Sequence, residues 1–319
     1  MRSRARKRQV RSKTKRSPKR SRVQRSRQKS SSRWQQTLRS ISFDLVDPRV
    51  QRKVYDDGAE EYHSKHLGQH KLFLTLLYFM IHYGHLSHTV VYAGSAPGSN
   101  IFIISEMFPR HRFVLYDTAP FDKRLLSRPN VKVYHQLFLN EDAEKWKHKG
   151  ILFLSDIRNP RIGQVNKEET QEQQDIVNED MNLQSEWIRA MRPAMSMLKF
   201  RLRWDHNTTF YWDGDVMIQP YAPLRSSETR LITPGLHERY YPNQDYDERI
   251  SWHNDVRRNE YRYPTLPHVV PLWDVAAQVK IIYDYFTIIK KIKPTPKMIY
   301  LEMKRISVLL RQKNPLLRL

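Results

Sequence analysis

The chain has 319 residues, with 56 Lys and Arg against 33 Asp and Glu, a formal net charge of +23, and no cysteine. The absence of cysteine excludes a disulfide framework, a Cys-ligated zinc site and a thiol nucleophile. With 39% hydrophobic and 11% aromatic residues the chain can fill a packed core, and its length allows one large domain or two smaller ones.

The first 33 residues differ sharply from the rest. They hold 16 of the basic residues and no acidic residue, and apart from Met1 their only apolar side chains larger than Ala are Val10 and Val23. Such a segment cannot bury enough surface to offset its chain entropy, so we predict a disordered basic tail at 1–39 and a single domain at 40–319. A nucleic-acid arm, a nuclear-localisation signal and a solvated extension all fit this tail.

The chain contains no segment that predicts membrane association. Its longest apolar run, Leu72 to Ile81, is too short to span a bilayer, and no apolar signal core follows the basic start. We therefore expect an intracellular protein without a membrane partner, and the basic tail is compatible with a nuclear location.

From residue 40 onward, strands alternate with helical segments. The predicted elements are, in chain order, a helix at Leu67–Tyr83, a strand at Thr89–Ala93, a helix at Ser99–Met107, strands at Phe113–Tyr116, Val131–Phe138 and Ile151–Leu154, a loop at Lys167–Asp180 running into a helix at Met181–Met191, strands at Met195–Arg201, Asp215–Gln219 and Thr229–Thr233, and helices at Val275–Ile292 and Pro296–Arg311. This alternation predicts βαβ units, hence an α/β fold with a mainly parallel central sheet, helices on both faces and a C-terminal helical block.

A glycine-rich turn follows the first predicted strand. The segment VVYAGSAPGSN places Gly94 and Gly98 between a strand and a helix, where glycine permits close backbone approach and the helix offers free N–H groups. Packing alone also produces such turns, but the second strand ends on Asp117, 23 positions beyond Gly94, where an acid can accept from ribose hydroxyls. The pair predicts a nucleoside-containing cofactor, and the lack of a following Gly-Lys-Ser/Thr argues against a nucleoside triphosphate.

Four charged residues stand where burial is expected, namely Lys71, Asp156, Lys199 and Glu228. Each alone can be explained as a strand-end or snorkelling charge. Together they indicate a site, because strand carboxyl ends in a parallel sheet meet at one crevice. Acids raise a lysine pKa whereas desolvation and a second lysine lower it, so the balance among these groups decides whether a lysine can act as a base.

At these residues the chain resembles the poxvirus mRNA cap-specific nucleoside-2′-O-methyltransferases, a family that also provides the small regulatory subunit of the viral poly(A) polymerase. The similarity covers roughly Tyr55 to Asn259 in pieces that keep the family's order: LGQHKLFL, VVYAGSAPGSN, LSDIR, SMLKFR, QPYAP followed by SSETRL, and YDERISWHNDVRRN. The resemblance implies a Rossmann-like S-adenosylmethionine-dependent methyltransferase fold in a distant relative from a large DNA virus. A virion or host-cytoplasm location would follow.

The implied activity is methyl transfer to the ribose 2′-hydroxyl of the first transcribed nucleotide of capped mRNA. Two alternatives remain: an RNA-binding processivity subunit that partners a poly(A) polymerase catalytic subunit, and a nucleic-acid packaging protein dominated by its tail. The four filled catalytic positions favour the first.

By resemblance, Lys199 activates the 2′-hydroxyl while Asp156, Lys71 and Glu228 orient it and tune its proton affinity. The residues implied to hold S-adenosylmethionine are Gln69, Tyr92, Gly94, Ser95, Ala96, Pro97, Gly98, Asp117, Phe138 and Asp156. No metal site is predicted.

The cap is expected to be recognised through its cationic 7-methylguanine, which stacks on aromatic rings and pairs with carboxylates. The candidates are Tyr55, Trp204, Asp205, Asp247 and Glu248. The chain departs from the family pattern at two positions. In the cap region, the acid expected two residues beyond the aromatic is His206, and in the cofactor region, the arginine expected two residues beyond Asp117 is Ala119.

Overall fold

The computed structural model describes residues 34–55, 62–159 and 171–317. Its first element is a short helix, α1, at residues 34–40, whose Trp34 and Leu38 side chains are buried in the main core. Residues 34–40, most of which the prediction assigns to the tail at 1–39, therefore pack into the folded core. The single domain at 40–319 stays a prediction. Residues 1–33 lie outside the described part, so the expected disorder of the basic tail stays a prediction.

In the rest of the described ranges, seven further α-helices and nine strands follow. The helices are α2 (Gly68–Tyr83), α3 (Ser99–Met107), α4 (Asn140–Lys145), α5 (Gln171–Met191), α6 (Asn243–Trp252), α7 (Trp273–Asp284) and α8 (Pro296–Leu309). The strands are β1 (Thr89–Ala93), β2 (Arg112–Tyr116), β3 (Val131–Tyr134), β4 (Leu152–Ser155), β5 (Met195–Phe200), β6 (Thr208–Trp212), β7 (Asp215–Met217), β8 (Thr229–Thr233) and β9 (Glu238–Pro242). None of the helices in the described ranges is long and apolar enough to cross a membrane.

The central sheet has seven strands in the order β3-β2-β1-β4-β5-β8-β7, and β6 pairs with β9 in a separate two-stranded sheet. The first five strands of the order are parallel, whereas β8 runs antiparallel to both of its neighbours. The predicted α/β fold with a mainly parallel sheet is confirmed.

Helices cover both faces of this sheet. Successive side chains of a strand point to opposite faces, so Phe153 and Leu154 of β4 mark the two sides. Phe153 packs edge-on against Trp187 of α5, while Leu154 lines a small internal cavity together with Leu72 and Leu76 of α2. Helices α5 and α2 therefore lie on opposite faces, as expected for a doubly wound sheet.

The strand order reverses between β1 and β4, and this switch point places the crevice. Ligands of open α/β sheets bind outside the carboxyl ends of the strands at such a point. Here the chain leaves β1 at Gly94 and leaves β4 at Asp156, and the backbone N–H of Asp156 donates to the carbonyl of Ala93 at 3.0 Å. The glycine turn and the predicted catalytic acid are therefore neighbours.

Sequence and structure differ most clearly at α5. The predicted loop at Lys167–Asp180 is wrong for residues 171–180, which form the first half of the helix. Its buried face carries polar residues such as Gln174, Asp180 and Gln184, so hydrophobic periodicity gives little signal there. Strand β3 is also shorter than predicted and ends at Tyr134, and β6, β9, α4 and α6 were not predicted.

Helix α2 carries an unusual cap. Its N-cap residue, Leu67, makes no side-chain hydrogen bond to the first turn. Instead, Oε1 of Gln312 accepts from the backbone N–H groups of Gln69 and His70 at 3.1 and 3.2 Å. A distant residue thus satisfies donors that a helix start normally leaves to a local Ser, Thr or Asp.

Candidate active site

A cleft of about 540 Å³ opens at the switch point. Gly94 and Ala96 line it from the turn after β1, Asp117 from the end of β2, and Asp156 from the end of β4. Phe138 forms part of its apolar wall and packs edge-on against Trp187 with ring centroids 4.9 Å apart. We call this the donor cleft.

Glycine is required at position 94 because the chain passes very close to the end of β4. The residue has φ of +75°, and a Cβ added there would stand 2.7 Å from the carbonyl oxygen of Asp156 and 2.8 Å from the backbone nitrogen of Ile157. Any side chain would push β1 and β4 apart.

The carboxylate of Asp117 is held by its own loop. Ala96 N–H donates to Oδ2 and Ala119 N–H donates to Oδ1, each at 2.9 Å. Each oxygen keeps a second lone pair for a ligand, so the acid is oriented before anything binds. Ala119, which stands where the family has arginine, contributes only its backbone.

Five of the ten residues predicted to hold the cofactor line the donor cleft: Gly94, Ala96, Asp117, Phe138 and Asp156. The structure does not bring Gln69, Tyr92, Ser95, Pro97 and Gly98 to its wall. Ser95 donates to the carbonyl of Tyr116 behind the turn, and Gly98 is the N-cap of α3 at φ +71°. Ser95, Pro97 and Gly98 shape the turn, because consecutive residues of a tight turn cannot all face one side, whereas Gln69 lies on α2 and Tyr92 on β1.

The four predicted catalytic charges converge at the same edge of the sheet. Nζ of Lys71 lies 3.0 Å from Oε1 of Glu228, and Nζ of Lys199 lies 3.5 Å from Oε2 of the same carboxylate. Lys199 also donates to the carbonyl of Ile157 at 3.3 Å. One buried carboxylate therefore holds both lysines.

Sequence reasoning missed a fifth member, Arg230. It lies on β8 opposite Lys199 of β5, is only 3% exposed, and pairs with Asp156 at 2.8 Å and with Glu228 at 3.5 Å. The sequence signal for Arg230 is a basic residue beside the apolar residues of a strand, the same signal that indicated Lys199. Arg230 joins the two carboxylates into one network.

The network carries three cations and two carboxylates, a formal charge of +1. Burial alone raises the pKa of Glu228, but the positive charges of Lys71, Arg230 and Lys199 outweigh it and hold that pKa well below its usual range. Burial alone lowers the pKa of Arg230, but the negative charges of Asp156 and Glu228 outweigh it. The pKa of Arg230 therefore lies above its ordinary value. Glu228 and Arg230 are therefore ionised throughout the physiological pH range.

The segment 157–159 after β4 is tied down at two points. The carbonyl of Ile157 accepts from Lys199, and the backbone N–H of Asn159 donates to Oδ2 of Asp180 at 3.2 Å. Burial raises the pKa of Asp180, which is opposed by that hydrogen bond and by the charge of Lys199. Asp180 lines both the donor cleft and the neighbouring cleft, so one side chain of α5 connects the two.

That neighbouring cleft, of about 420 Å³, contains Lys71, Lys199 and Glu228, and we call it the catalytic cleft. A third cleft of about 300 Å³ adjoins it and is lined by Tyr55, Trp204 and Asp247, three of the five residues predicted for cap binding. We call it the cap cleft. Both aromatic side chains are unusually open for large rings, at 55% and 53% exposure.

Two of the residues predicted for cap binding, Asp205 and Glu248, do not line the cap cleft. On α6, Asp247, Ile250 and Ser251 share the face that lines the cap cleft, whereas Glu248 is rotated away by one residue and accepts from Gln244 at 2.8 Å.

Asp205 also lies outside the cap cleft. It pairs with Arg203 at 2.7 Å, and the hydrogen bond from that guanidinium holds the pKa of Asp205 well below its usual range. The side chain is therefore already committed to a partner on its own loop.

The adjacent Trp204 ring is anchored from behind. When the amide of Gln174 is oriented to face its donors, its oxygen accepts from Trp204 Nε1 at 3.0 Å.

The residues of the donor cleft fit S-adenosylmethionine in size and chemistry. Its volume falls within the range of small-molecule sites, about 300 to 1,000 Å³. Asp117 offers oriented acceptors for ribose hydroxyls, and Phe138 offers an apolar wall for a purine. Oε1 of Gln69, at the start of α2, is buried without a hydrogen-bond partner in the described part of the chain, but this residue does not line the donor cleft.

Comparison with known proteins places the chain in a family. Residues 43–314 match the family model described as "Poly A polymerase regulatory subunit". The cap-specific mRNA (nucleoside-2′-O-)-methyltransferase of fowlpox virus is 34% identical over 206 residues, which cover 58% of this chain and 64% of that protein. The protein of the same name from myxoma virus (strain Lausanne) is 28% identical over 240 residues, covering 68% of this chain and 69% of that protein.

Among solved structures, one described as bluetongue virus VP4, a multifunctional RNA-capping production line, matches with a TM-score of 0.46 and 15% identity, over 72% of this chain and 42% of that one. The family match is much more extensive, since it spans more than four fifths of the sequence. The chain belongs to the poly(A) polymerase regulatory subunit family.

Proposed function

We propose that this protein transfers a methyl group from S-adenosylmethionine to the ribose 2′-hydroxyl of the first transcribed nucleotide of capped mRNA. The observation that carries the proposal is the row of three adjoining clefts. The donor and catalytic clefts share Arg158 and Asp180, and the catalytic and cap clefts share Arg201, Arg225 and Ser227. The names of the fowlpox and myxoma relatives agree with it.

In the donor cleft, the chain's own residues would position the cofactor. Asp117 accepts from ribose hydroxyls, the wall at Phe138 and Trp187 packs against the purine, and the turn at Gly94 and Ala96 forms the neighbouring wall. When bound, S-adenosylmethionine supplies an electrophilic methyl group on a positively charged sulfur. The protein contributes mainly by fixing that group relative to the acceptor.

In the catalytic cleft, Lys199 faces the acceptor oxygen. Its Nζ is held from two sides, by the carbonyl of Ile157 and the carboxylate of Glu228, so it occupies one place rather than sampling many rotamers. We assign Lys199, with its amine unprotonated, as the group that accepts the proton of the 2′-hydroxyl. The positive charges of Lys71 and Arg230, which both pair with Glu228, stabilise the negative charge that develops on the attacking oxygen.

The cap cleft would select 7-methylguanine by its charge. The exposed faces of Tyr55 and Trp204 offer stacking surfaces, and Asp247 supplies a carboxylate to the same cleft. Both contacts attract the positive charge of 7-methylguanine. Unmethylated guanine is neutral, so it gains neither of these electrostatic attractions.

The phosphates between the cap and the first nucleotide would pass between the cap and catalytic clefts. Arg201 and Arg225 line both clefts, so two guanidinium groups stand along the route that the phosphate bridge must follow. Guanidinium is well suited to bind phosphate oxygens.

The test is transfer of a labelled methyl group to capped and uncapped RNA of the same sequence, followed by nuclease digestion to locate the label. We expect label on the first nucleotide's 2′-oxygen and only with capped RNA. Lys199→Ala should abolish transfer while leaving capped-RNA affinity almost unchanged, and exposed Lys149→Ala serves as the matched control. Equal loss of binding and transfer in Lys199→Ala would contradict the assignment of Lys199.

A second function is favoured by the family description itself, which names a regulatory subunit of poly(A) polymerase. In that role the protein would hold RNA for a catalytic partner. The length of the poly(A) tail that the poly(A) polymerase catalytic subunit from the same source adds to RNA, with and without this protein, measures this stimulation directly. Lys199→Ala should leave any such stimulation intact, because it removes a proton acceptor and not the RNA-binding surface.

A further inference from the structure

The surplus positive charge of the folded part is concentrated in one stretch. Residues 285–317 carry eight Lys and Arg and a single acid, Glu302, whereas residues 34–284 carry 31 Lys and Arg against 32 Asp and Glu. Glu302 is itself paired with Arg305 at 2.7 Å. The stretch that holds α8 is therefore a local positive patch on an otherwise neutral fold.

Part of this charge forms a ridge on α8. Lys297, Leu301, Lys304 and Val308 are spaced by four, three and four residues, so they lie on one side of the helix. That side faces solvent, since Leu301 is 53% and Val308 75% exposed. The two lysines are seven residues apart, which corresponds to about 10 Å along the helix axis.

The ridge continues into a groove of about 420 Å³. Lys304, Arg311 and Lys313 line it, and Val308 and Leu317 supply apolar contacts. Among the described residues, no carboxylate forms an ion pair with any of these three cations. We call the α8 ridge and this groove together the basic face.

The basic face borders the active site through one residue. Gln312 lines the groove and also accepts from the backbone N–H groups of Gln69 and His70 in the first turn of α2. Lys71, which lies in the catalytic cleft, is the next residue of that turn. The groove and the catalytic cleft therefore flank the same turn of α2.

We propose that the basic face binds the body of the RNA, the single-stranded chain that continues beyond the capped nucleotide. Each nucleotide brings one phosphate, and cations without carboxylate partners exchange their counterions for such phosphates at little cost. The aliphatic side chains between them can pack against riboses and bases. The inference extends the proposed function by naming where the rest of the transcript is held.

The experiment uses the full chain and an uncapped, fluorescently labelled 20-nucleotide oligoadenylate. Lys304→Ala/Arg311→Ala/Lys313→Ala removes three charges from the basic face. The control variant, Arg110→Ala/Arg112→Ala/Lys149→Ala, removes three exposed charges at or just before the amino ends of β2 and β4, at the opposite edge of the sheet. The two variants have the same net charge, so a difference in RNA affinity between them reports where the charges lie and not how many there are. Anisotropy titrations from 50 to 200 mM salt give the dissociation constant and its salt slope.

We expect the basic-face variant to bind about tenfold more weakly than the control variant at the lowest salt. The slope of the logarithm of the binding constant against the logarithm of the salt concentration should be smaller by about 2, because each of the three lost phosphate contacts contributes about 0.7. Equal affinities and slopes in the two variants would overturn the proposal and leave the face to another ligand, such as an acidic protein segment. Because the RNA is uncapped, this result does not depend on methyl transfer. Failure of the proposed function would instead appear as wild-type protein that binds oligoadenylate but methylates nothing.

Discussion

Glu228→Gln is the most informative change in the catalytic network. The substitution keeps the shape of the side chain but removes the negative charge that Lys71, Lys199 and Arg230 share at 3.0 to 3.5 Å. The network's formal charge rises from +1 to +2, with Asp156 as its remaining carboxylate. At an effective dielectric constant of about 20, each of the three contacts corresponds to about 5 kcal/mol of Coulomb energy before desolvation.

Desolvation offsets most of that Coulomb energy, and removing one partner of a buried network typically costs about 3 to 5 kcal/mol of stability. We expect a loss of this size in chemical denaturation at pH 7. We also expect methyl transfer to fall by at least about 100-fold, because Lys199 loses one of the two groups that fix its position. Glu302→Gln, which breaks the more exposed pair with Arg305, should cost less than about 1 kcal/mol and leave activity unchanged.

The stability difference should also depend on pH in a defined direction. Because the pKa of folded Glu228 lies well below the ordinary value of 4.5, the carboxylate stabilises the fold fully above pH 4.5 and progressively less as the pH falls below it. The difference between wild type and Glu228→Gln should therefore be constant from pH 6 to 8 and shrink below pH 4.5. A variant as stable and as active as Glu302→Gln would refute the reasoning about the network.

Three further predictions concern the clefts. Gly94→Ala should destabilise the protein by about 1 to 3 kcal/mol more than Gly150→Ala in thermal or chemical unfolding. Both glycines have positive φ, but of the two only Gly94 lies where a Cβ would collide with backbone atoms. Equal losses of stability would contradict the close approach of β1 and β4. Trp204→Ala should raise KM for capped RNA by about 10- to 100-fold and leave the S-adenosylmethionine dissociation constant, measured by calorimetry, unchanged. Asp180→Ala should lower kcat by about 10- to 100-fold, whereas Asp180→Asn, which can still accept from Asn159, should stay within about threefold of wild type. Equally low kcat values in both variants would show that the charge of Asp180, not its hydrogen bond, matters.

The sequence predicted the donor side of the molecule well because its signals are local. β1, α3 and β8 have the bounds expected from hydrophobic runs ended by Gly, Pro or charge, and the turn at Gly94 lies where a strand meets a helix. Asp117 could be predicted for the same reason, because once the strand is predicted, the acid at its carboxyl end is a candidate ligand for ribose.

What the sequence could not provide depends on contacts between distant segments. Arg230 joins the catalytic network because β8 pairs with β5, and nothing near residue 230 reveals that pairing. The first half of α5 was missed because its buried side is largely polar, with Gln174 satisfied by Trp204 and Asp180 by the backbone of Asn159 rather than by apolar packing. Glu248 was a candidate only because the face of α6 that lines the cap cleft was unknown.

The cap of α2 has a consequence for how the protein is made. Residues 69 and 312 are separated by most of the chain, and at about 5 to 20 residues per second synthesis needs roughly 10 to 50 s to cover that distance. Until Gln312 emerges, two backbone donors beside Lys71 lack their acceptor, which is worth about 1 kcal/mol in an ordinary cap. A chain terminated before residue 312, even with every residue of the three clefts present, would therefore lack the acceptor for these two N–H groups beside Lys71.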